Sequence, residues 1–232
     1  MATIEKQVLG KIRGKVGDVL FRIVNGKAIV TSCPAKKGPS TDPAAIIRNN
    51  HFSIAVKLAH AINYLFPLKH FWKNFTISSE TGYRSPLNKI VKENYSHVTD
   101  TTVLATASLV PDIGFEVTPT TAAISNTAIN VTLAAIGIDK GIDTAVETQV
   151  QLAAVAFLKS PVLDTEKPVA FLHKLSDPAP VNLLNPLTFE ITLDNVEKQR
   201  FDMYTSSKGL FALVTLDAND VPVRYSNTFM SV

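Results

Sequence analysis

The chain has 232 residues, of which 46% are hydrophobic and 19% are charged, and its formal net charge is +3. A chain of this size and composition folds as a globular protein with one large core or two smaller ones. No apolar run approaches the roughly 18 residues that a membrane-spanning helix needs, which excludes a transmembrane helix.

The N-terminal residues and the cysteine content bear on location. Residues Met1 to Lys6 lack the apolar core of a signal peptide, so we expect either synthesis in the cytoplasm without a visible signal peptide or a leader that has been removed and replaced. The single cysteine, Cys33, permits no internal disulfide and fits a reducing compartment. The final location stays open between a particle assembled in the cytoplasm, such as a virion, and an extracellular fibre.

Charge is distributed unevenly along the chain. Residues 1–97 contain 15 Lys and Arg against 5 Asp and Glu, a net charge of +10, whereas residues 98–232 contain 8 against 15, a net charge of −7. A basic half can meet nucleic acid or another anionic surface, or it can meet the acidic half of a second copy. Contacts of the second kind are head-to-tail and produce rings or filaments. Two solvated surfaces of opposite sign, with no partner, are the third interpretation.

The N-terminal residues predict an arm or edge strand followed by a hairpin. Residues 1–16 are basic and contain few apolar side chains, so they form either a mobile arm or an edge strand that needs a partner. Two β-rich runs, 18–24 and 27–33, flank Asn25-Gly26. Asn-Gly is the preferred two-residue hairpin turn because both of its residues adopt positive φ. A basic proline loop, 34–39, follows.

Residues 41–75 predict an amphipathic helix with a short continuation. Asp42-Pro43 marks the start, because Asp caps a helix and Pro suits the first turn, where no N–H is needed. Pro67 breaks or kinks this helix, and the apolar residues after it form a second piece. A third helix begins at Ser85-Pro86 and ends near Tyr95. The apolar stripe of the long helix contains Ile47, Ile54, Leu58, Ala61 and Leu65.

Beyond residue 97 the helix signals stop, and short β-branched runs separated by Pro, Gly, Asn and Asp take over. Regularly spaced runs of this kind predict an antiparallel β-sandwich, Ig-like or jelly-roll-like. The run 150–158 is apolar throughout and has two interpretations, a buried helix or a central strand covered on both faces; its strand-like neighbours favour the strand. The predicted strands are 102–110, 115–118, 128–136, 146–159, 169–175, 187–193, 201–205, 210–216 and 221–229.

The predicted fold class is therefore α+β, mainly β: an antiparallel β-sandwich preceded by a β-hairpin and a helical module. We expect a basic arm or edge strand at 1–16, a module of hairpin plus helices at 17–97 and the sandwich domain at 98–232. The boundary between the module and the sandwich is expected near residues 96–101.

Both ends of the chain carry patterns of a known family. The N-terminal pattern is Gly14-Lys-Val-Gly17-Asp-Val, then Asn25-Gly-Lys27, then a basic proline loop and an apolar helix. The C-terminus reads Leu210-Phe-Ala-Leu-Val-Thr-Leu-Asp-Ala-Asn-Asp and ends Tyr225-Ser-Asn-Thr-Phe229. Over roughly the first 75 and the last 20 residues, the chain resembles a family of uncharacterised proteins found mainly in Bacteroidota. Because that family has no assigned activity, the resemblance implies a lineage and no mechanism.

The sequence contains no motif for catalysis, a cofactor or a metal. Gly10 to Val16 has three residues, instead of the four of a phosphate-binding loop, before its Gly-Lys pair, and no Ser or Thr after it. One cysteine and five scattered histidines do not form a zinc site, and the hydrolase and metalloprotease motifs are missing. A hairpin turn explains the oxygens of Asp217, Asn219 and Asp220 better than calcium, which needs about six to eight oxygen ligands. We therefore predict a protein that is not an enzyme.

The leading hypothesis is a non-catalytic structural protein that assembles with itself, head to tail, into a filament, tube or shell, alone or with other structural proteins of the same particle. The arm can add a strand to a sheet of a neighbouring copy, because an edge strand has unpaired amides and carbonyls. The alternative is a binding module for nucleic acid or another anionic polymer, with bases stacked on aromatic side chains. An enzyme with a non-local active site is the third class and would need a deep polar pocket. The predicted assembly interface comprises Val8, Leu9, Ile12, Arg13, Lys15, Lys36, Lys37, Leu68, Phe71, Trp72 and Phe75.

Overall fold

The computed structural model describes residues 2–4, 14–24, 27–33, 38, 41–76, 85–163 and 166–231, with backbone alone for 2–4, 24 and 27. It forms two compact units, Met1–Pro43 and Ala44–Val232. Helices and antiparallel sheets are both present and strands predominate, so the predicted α+β, mainly β class is confirmed.

The first unit is a four-stranded antiparallel sheet of β1 (Ala2–Ile4), β2 (Gly14–Val16), β3 (Val19–Val24) and β4 (Lys27–Ser32). The strand order is β1-β4-β3-β2, so the two short N-terminal strands form its edges. β3 and β4 pair with Val24 opposite Lys27, which confirms the predicted hairpin. The Asn25-Gly26 turn itself lies outside the described residues. Gly17 turns the chain between β2 and β3 with a φ of 56°, a conformation that favours glycine.

Three helices precede the strands of the second unit: α1 (Pro43–Tyr64), α2 (Phe66–Asn74) and α3 (Pro86–Asn94). α1 begins at the predicted Pro43. The predicted break is also confirmed: Leu65 is extended, with φ −78° and ψ 108°, and Pro67 lies in the first turn of α2, where its missing N–H does no harm. The Ser85 hydroxyl caps α3 by accepting the Asn88 N–H at 3.2 Å.

Two antiparallel sheets and a short helix complete the second unit. The larger sheet contains β7 (Gln149–Pro161), β8 (Val169–Leu175), β9 (Ala179–Pro180), β11 (Tyr204–Leu216), β12 (Pro222–Tyr225) and β13 (Phe229–Met230). Its order is β12-β11-β7-β8, while β13 also pairs with β11 and β9 with β7. The smaller sheet contains β5 (Pro119–Ile124), β6 (Ala128–Leu133) and β10 (Leu187–Thr192), in the order β10-β6-β5. Helix α4 (Asn195–Asp202) lies between β10 and β11 in the chain.

The larger sheet is covered on both faces. One face packs against the smaller sheet, and their shared core includes Val131, Leu133, Leu152, Phe189, Phe211 and Leu213. The other face packs against the helices, and this core includes Leu58, Ala59, Ile62, Trp72, Ala153, Val155, Leu210 and Ala212. The central strands β7 and β11 are therefore buried on both faces, which confirms the strand interpretation of the run 150–158. The second unit thus has three layers: helices, larger sheet and smaller sheet.

The two units do not follow the predicted segments 1–16, 17–97 and 98–232. Helices α1 and α2 bury their apolar faces on strands β7 and β11, so the helices and the sandwich share one core. No separate core of helices with the hairpin exists in the described residues, and a boundary near residues 96–101 would cut through the helix-side core.

Three predicted strands differ from the structure. Residues 102–110 and 115–118 form only isolated bridges, Val103 with Val98 and Phe115 with Ser226. The third, 201–205, overlaps the end of α4.

A capping box explains the unpredicted helix α4. The Asp194 carboxylate accepts the backbone N–H groups of Val196 and Glu197, each at 2.9 Å. The Glu197 carboxylate in turn accepts the Asp194 N–H at 2.9 Å. This reciprocal pair satisfies free amides of the first turn and begins a helix where the sequence interpretation placed none.

Candidate functional site

The predicted interface residues lie in three settings. Six of them lie outside the described residues: Val8, Leu9, Ile12, Arg13, Lys36 and Lys37. Lys15 is exposed on the edge strand β2, opposite Leu20. The other four belong to or pack against the helix-side core: Leu68 and Trp72 are fully buried, Phe71 is buried and Phe75 is half-buried.

The apolar part of the predicted interface is therefore corrected. The Trp72 Nε1–H donates to the Leu109 carbonyl at 2.9 Å, and its ring meets that of Phe75 edge to face, with centroids 5.9 Å apart. Phe71 packs edge to face on Tyr225 at 4.6 Å between centroids. Because Phe71 and Trp72 are buried in the core of the second unit, their rings are not available to a second copy or to nucleic-acid bases, whereas Phe75 is half-buried at the edge of that core.

The N-terminal unit is basic in sequence, and the described side chains of its sheet are not buried. None of the side chains that the structure describes in the first unit is buried; those of β3 and β4 that are apolar are half-exposed, and Val16 in β2 is 65% exposed. Residues 1–43 contain 8 Lys and Arg against 3 Asp and Glu, a net charge of +5. Among the described residues β1 and β2 each pair with one strand, so their outer edges keep amides and carbonyls for a further strand.

Acidic loops adjoin at one end of the larger sheet. The β11–β12 turn carries Asp217 and Asp220, and the loop before β7 contains two further aspartates within 139–143. The loops lie together because the Thr148 N–H donates to the Leu216 carbonyl at 3.0 Å. This end of the sandwich therefore offers a negatively charged surface.

The Asp217 carboxylate is engaged within its own turn. It accepts the backbone N–H of Val221 at 2.9 Å and that of Asn219 at 2.7 Å, and these bonds lower the pKa of Asp217, which keeps it ionised. Asp220 completes the turn with a φ of 60°. The described part of the chain contains no group of three or more His, Cys, Asp or Glu side chains that could hold a metal ion. The structure therefore shows Asp217 and Asp220 as charged residues of a hairpin turn.

A basic cleft of about 240 Å³ lies between α1, β8 and α4. Helix periodicity places Lys57, His60 and Tyr64 of α1 on one face, since they are three and four residues apart. Strand periodicity likewise places alternate residues of β8 on one face. The cleft is lined by Lys57, His60, Ala61, Tyr64, Lys167, Val169, Ala170, Phe171, His173 and Arg200.

The lining of the cleft is electropositive, because it contains three Lys or Arg and two His side chains and no Asp or Glu. Burial and the neighbouring charge of Lys167 lower the pKa of Lys57. Burial, and then the charge of Arg200, lower the pKa of His173. The His173 imidazole also stacks on the Tyr64 ring, with centroids 5.0 Å apart and planes within 13°. These positive charges destabilise one another, and an anion in the cleft would relieve that repulsion.

The cleft is not visible in the sequence. Lys57 and His60 are recognisable as the polar face of α1, but Lys167, His173 and Arg200 follow over a hundred residues later. Only the placement of β8 and α4 beside α1 brings the two groups together. The single local signal is the alternation in β8, which puts His173 on the same face as Phe171.

No family model matches the chain, and no curated protein matches it. The resemblance to the Bacteroidota family therefore stays a prediction. Among the helices of the described residues, none has the length and apolar character required to span a membrane.

Proposed function

We propose that the protein is a non-catalytic structural protein that assembles with itself, head to tail, into a filament, tube or shell. The basic N-terminal sheet of one copy, within residues 1–43, contacts the acidic loops of the next copy, residues 139–143 and 217–220. The assembly is a virion or tail-like particle or a surface fibre, and other structural proteins of that particle are further partners.

The exposure of the described side chains of the N-terminal sheet is the observation that supports this proposal most strongly. A small sheet gains independent stability when its hydrophobic face is covered. The described side chains of this sheet are half-exposed or exposed, including the apolar ones of β3 and β4. A second copy would remove that apolar surface from water, which contributes about 25 cal/mol per Å². It would also pair with an open edge strand.

Charge complementarity selects the partner surface. The N-terminal unit carries a net charge of +5, whereas residues 98–232 carry −7. Opposite charges accelerate the encounter of these two surfaces, and two N-terminal sheets repel one another. The resulting contact joins different surfaces of two identical copies. Such a contact closes into a ring or continues as a filament, according to the rotation between neighbours.

Deletion of residues 1–16 tests the proposal, because it removes both edge strands, β1 and β2. We expect the deleted protein to remain monomeric in sedimentation assays in which the full chain pellets as a polymer. The second unit should stay folded, because its core clusters begin at Ile54 and contain no residue of the first unit. A variant that unfolds at the same temperature as the full chain and still pellets would contradict the proposal.

Charge reversal tests the acidic surface. Glu116 lies beside this surface, with Oε2 3.7 Å from the Lys140 Nζ, and both Glu116 and Asp139 are exposed. We expect Glu116→Lys with Asp139→Lys to raise the concentration required for assembly. Glu190→Lys, on the exposed face of β10, is the matched control and should leave that concentration unchanged. If the double variant and Glu190→Lys raise the concentration required for assembly equally, the acidic loops do not form the contact between copies.

The second candidate is a binding module for nucleic acid or another anionic polymer. It is favoured by the net charge of +5 on residues 1–43, which needs no second copy to explain it. The two functions differ in a simple assay. A binding module stays monomeric and is retained on DNA, and this retention decreases as the salt concentration rises. The structural protein assembles without any polyanion.

A further inference from the structure

We infer that the cleft between α1, β8 and α4 is a binding site for a small organic phosphate, a phosphate monoester joined to a flat ring. The cleft lies entirely within the second unit. The inference does not rest on self-assembly, because the site would serve a monomer as well as a subunit of a polymer.

The positive charges of the cleft lack carboxylate partners among the described residues, although the Lys57 Nζ donates to the Val169 carbonyl at 3.5 Å. In the part of the chain that the structure describes, Lys57, Lys167 and Arg200 form no ion pair with a carboxylate. Glu197, whose charge acts on His173, is already paired with Lys174 at 2.8 Å. Three cations that line one cleft and form no ion pair with a described carboxylate raise the free energy of the empty cleft, and a bound anion lowers it.

The number and type of cations favour phosphate over carboxylate. A phosphate monoester carries a charge of about −1.5 to −2 at neutral pH, with three acceptor oxygens, whereas a carboxylate carries a single charge. The Arg200 guanidinium matches two phosphate oxygens with its planar pair of N–H donors. Lys57 and Lys167 supply point charges on either side, and His60 adds a further ring donor.

The remaining walls favour an organic group of modest size. Ala61, Val169 and Phe171 form an apolar wall, and the stacked rings of Tyr64 and His173 present a flat aromatic surface. The volume of about 240 Å³ lies just below the range of about 300–1,000 Å³ that is usual for small-molecule sites. The cleft therefore suits a phosphate with one ring better than a dinucleotide or a long chain.

Titration calorimetry on the full chain tests the inference, with phenyl phosphate as the probe. Inorganic phosphate and benzoate are titrated separately as controls. Inorganic phosphate has the phosphate group without a ring, and benzoate has a ring with a single negative charge. We expect saturable binding of one phenyl phosphate per chain, tighter than that of either fragment. Lys57→Gln and Arg200→Gln should each weaken this binding about tenfold, because each removes a charge-assisted hydrogen bond. Lys69→Gln, an exposed lysine of α2 outside the cleft, should leave it unchanged.

Two further measurements separate the ring from the phosphate. Tyr64→Ala should weaken the binding of phenyl phosphate and leave the binding of inorganic phosphate unchanged, since Tyr64 supplies only the aromatic surface. The imidazole signals of His60 and His173 in NMR spectra should shift on titration with phenyl phosphate. Thermal unfolding of each variant shows whether a lost signal reflects a lost fold; Arg200 and Tyr64 are exposed, so their variants should fold.

Several outcomes would overturn the inference. If the folded wild-type chain shows no saturable binding of phenyl phosphate, the site is refuted. The site is also refuted if Lys69→Gln weakens this binding as much as Lys57→Gln and Arg200→Gln do. Benzoate that binds as tightly as phenyl phosphate would exclude the phosphate class. If the chain binds an oligonucleotide but not phenyl phosphate, the positive charges of the cleft serve to bind a polyanion and the inference is wrong.

Discussion

Lys89 is a buried cation whose removal should measurably destabilise the second unit. Its Nζ, on α3, donates to the carbonyl oxygens of Trp72 at 3.1 Å, Lys73 at 3.0 Å and Phe75. These carbonyls end helix α2, where the negative end of the helix dipole lies. The Lys89 side chain is 7% exposed, so water cannot replace it. The ammonium therefore satisfies the buried Trp72 carbonyl and the partly buried carbonyls of Lys73 and Phe75.

The expected effect of Lys89→Met follows from these contacts. A hydrogen bond from a charged donor contributes about 1.5–3 kcal/mol. The three bonds share a single ammonium and its desolvation, so we expect a loss of about 3 kcal/mol in the free energy of unfolding, not the sum. For a domain of this size that loss corresponds to a decrease in Tm of about 6–12 °C.

Urea unfolding followed by circular dichroism measures the free energy for wild type and variant. Lys69→Met is the matched control, because Lys69 lies on the exposed side of α2. A change at such a surface position should stay within about 0.5 kcal/mol. If the two variants lose equal stability, the hydrogen bonds of Lys89 do not hold the end of α2 and the reasoning fails.

Two further predictions concern packing and pH. Gly114→Ala should cost about 2 kcal/mol or more in urea unfolding, because a Cβ there would overlap the backbone of Tyr225 and Ser226. Gly38→Ala, where a Cβ would meet nothing within 4 Å, is the control and should change little. The folded state lowers the pKa of His173 by burial and by nearby cations, so the unfolded chain binds the proton more tightly and stability falls as the pH drops through about 6.5. His173→Asn should lose less stability than wild type between about pH 7.5 and about pH 5; an unchanged loss would show that His173 does not contribute.

Local chemistry made part of the fold predictable. Asn25-Gly26 joins two strands that pair as a hairpin, and Pro43 begins the long helix. Pro67 ends that helix because a proline in the helix interior would lose a hydrogen bond and clash with the preceding turn. Such signals need only neighbouring residues, and a sequence shows them directly.

Longer-range packing set the limits of prediction. Residues 102–110 form a run of Thr, Val, Leu, Ala and Ser residues that predicts a strand, and Val103, Ala107 and Leu109 are buried in the helix-side core. Their backbone is held differently, since the Asn94 side chain accepts the Ser108 N–H at 2.8 Å. Such a composition indicates that the run is partly buried, whereas a strand also requires a neighbouring strand with which to pair.

The apolar stretch after Pro67 shows that the sequence alone also does not identify a functional surface. Leu68 and Trp72 have the apolar spacing of either an interface or a core, and sequence does not distinguish these two environments. The structure places both in the core because β7 and β11 present small residues, such as Ala153 and Ala212, to the helices. The basic cleft was equally hidden, since its cations come from three elements that are distant in the chain.

Size as a function of salt is the most direct measurement of self-assembly. Light scattering of the full chain, with electron micrographs of the same samples, should show ordered polymers at low salt. These polymers should dissociate near 1 M salt, where the Debye length falls to about 3 Å and charges on the two surfaces no longer attract. A monomer of 25.2 kDa at every salt concentration would contradict the proposed head-to-tail assembly.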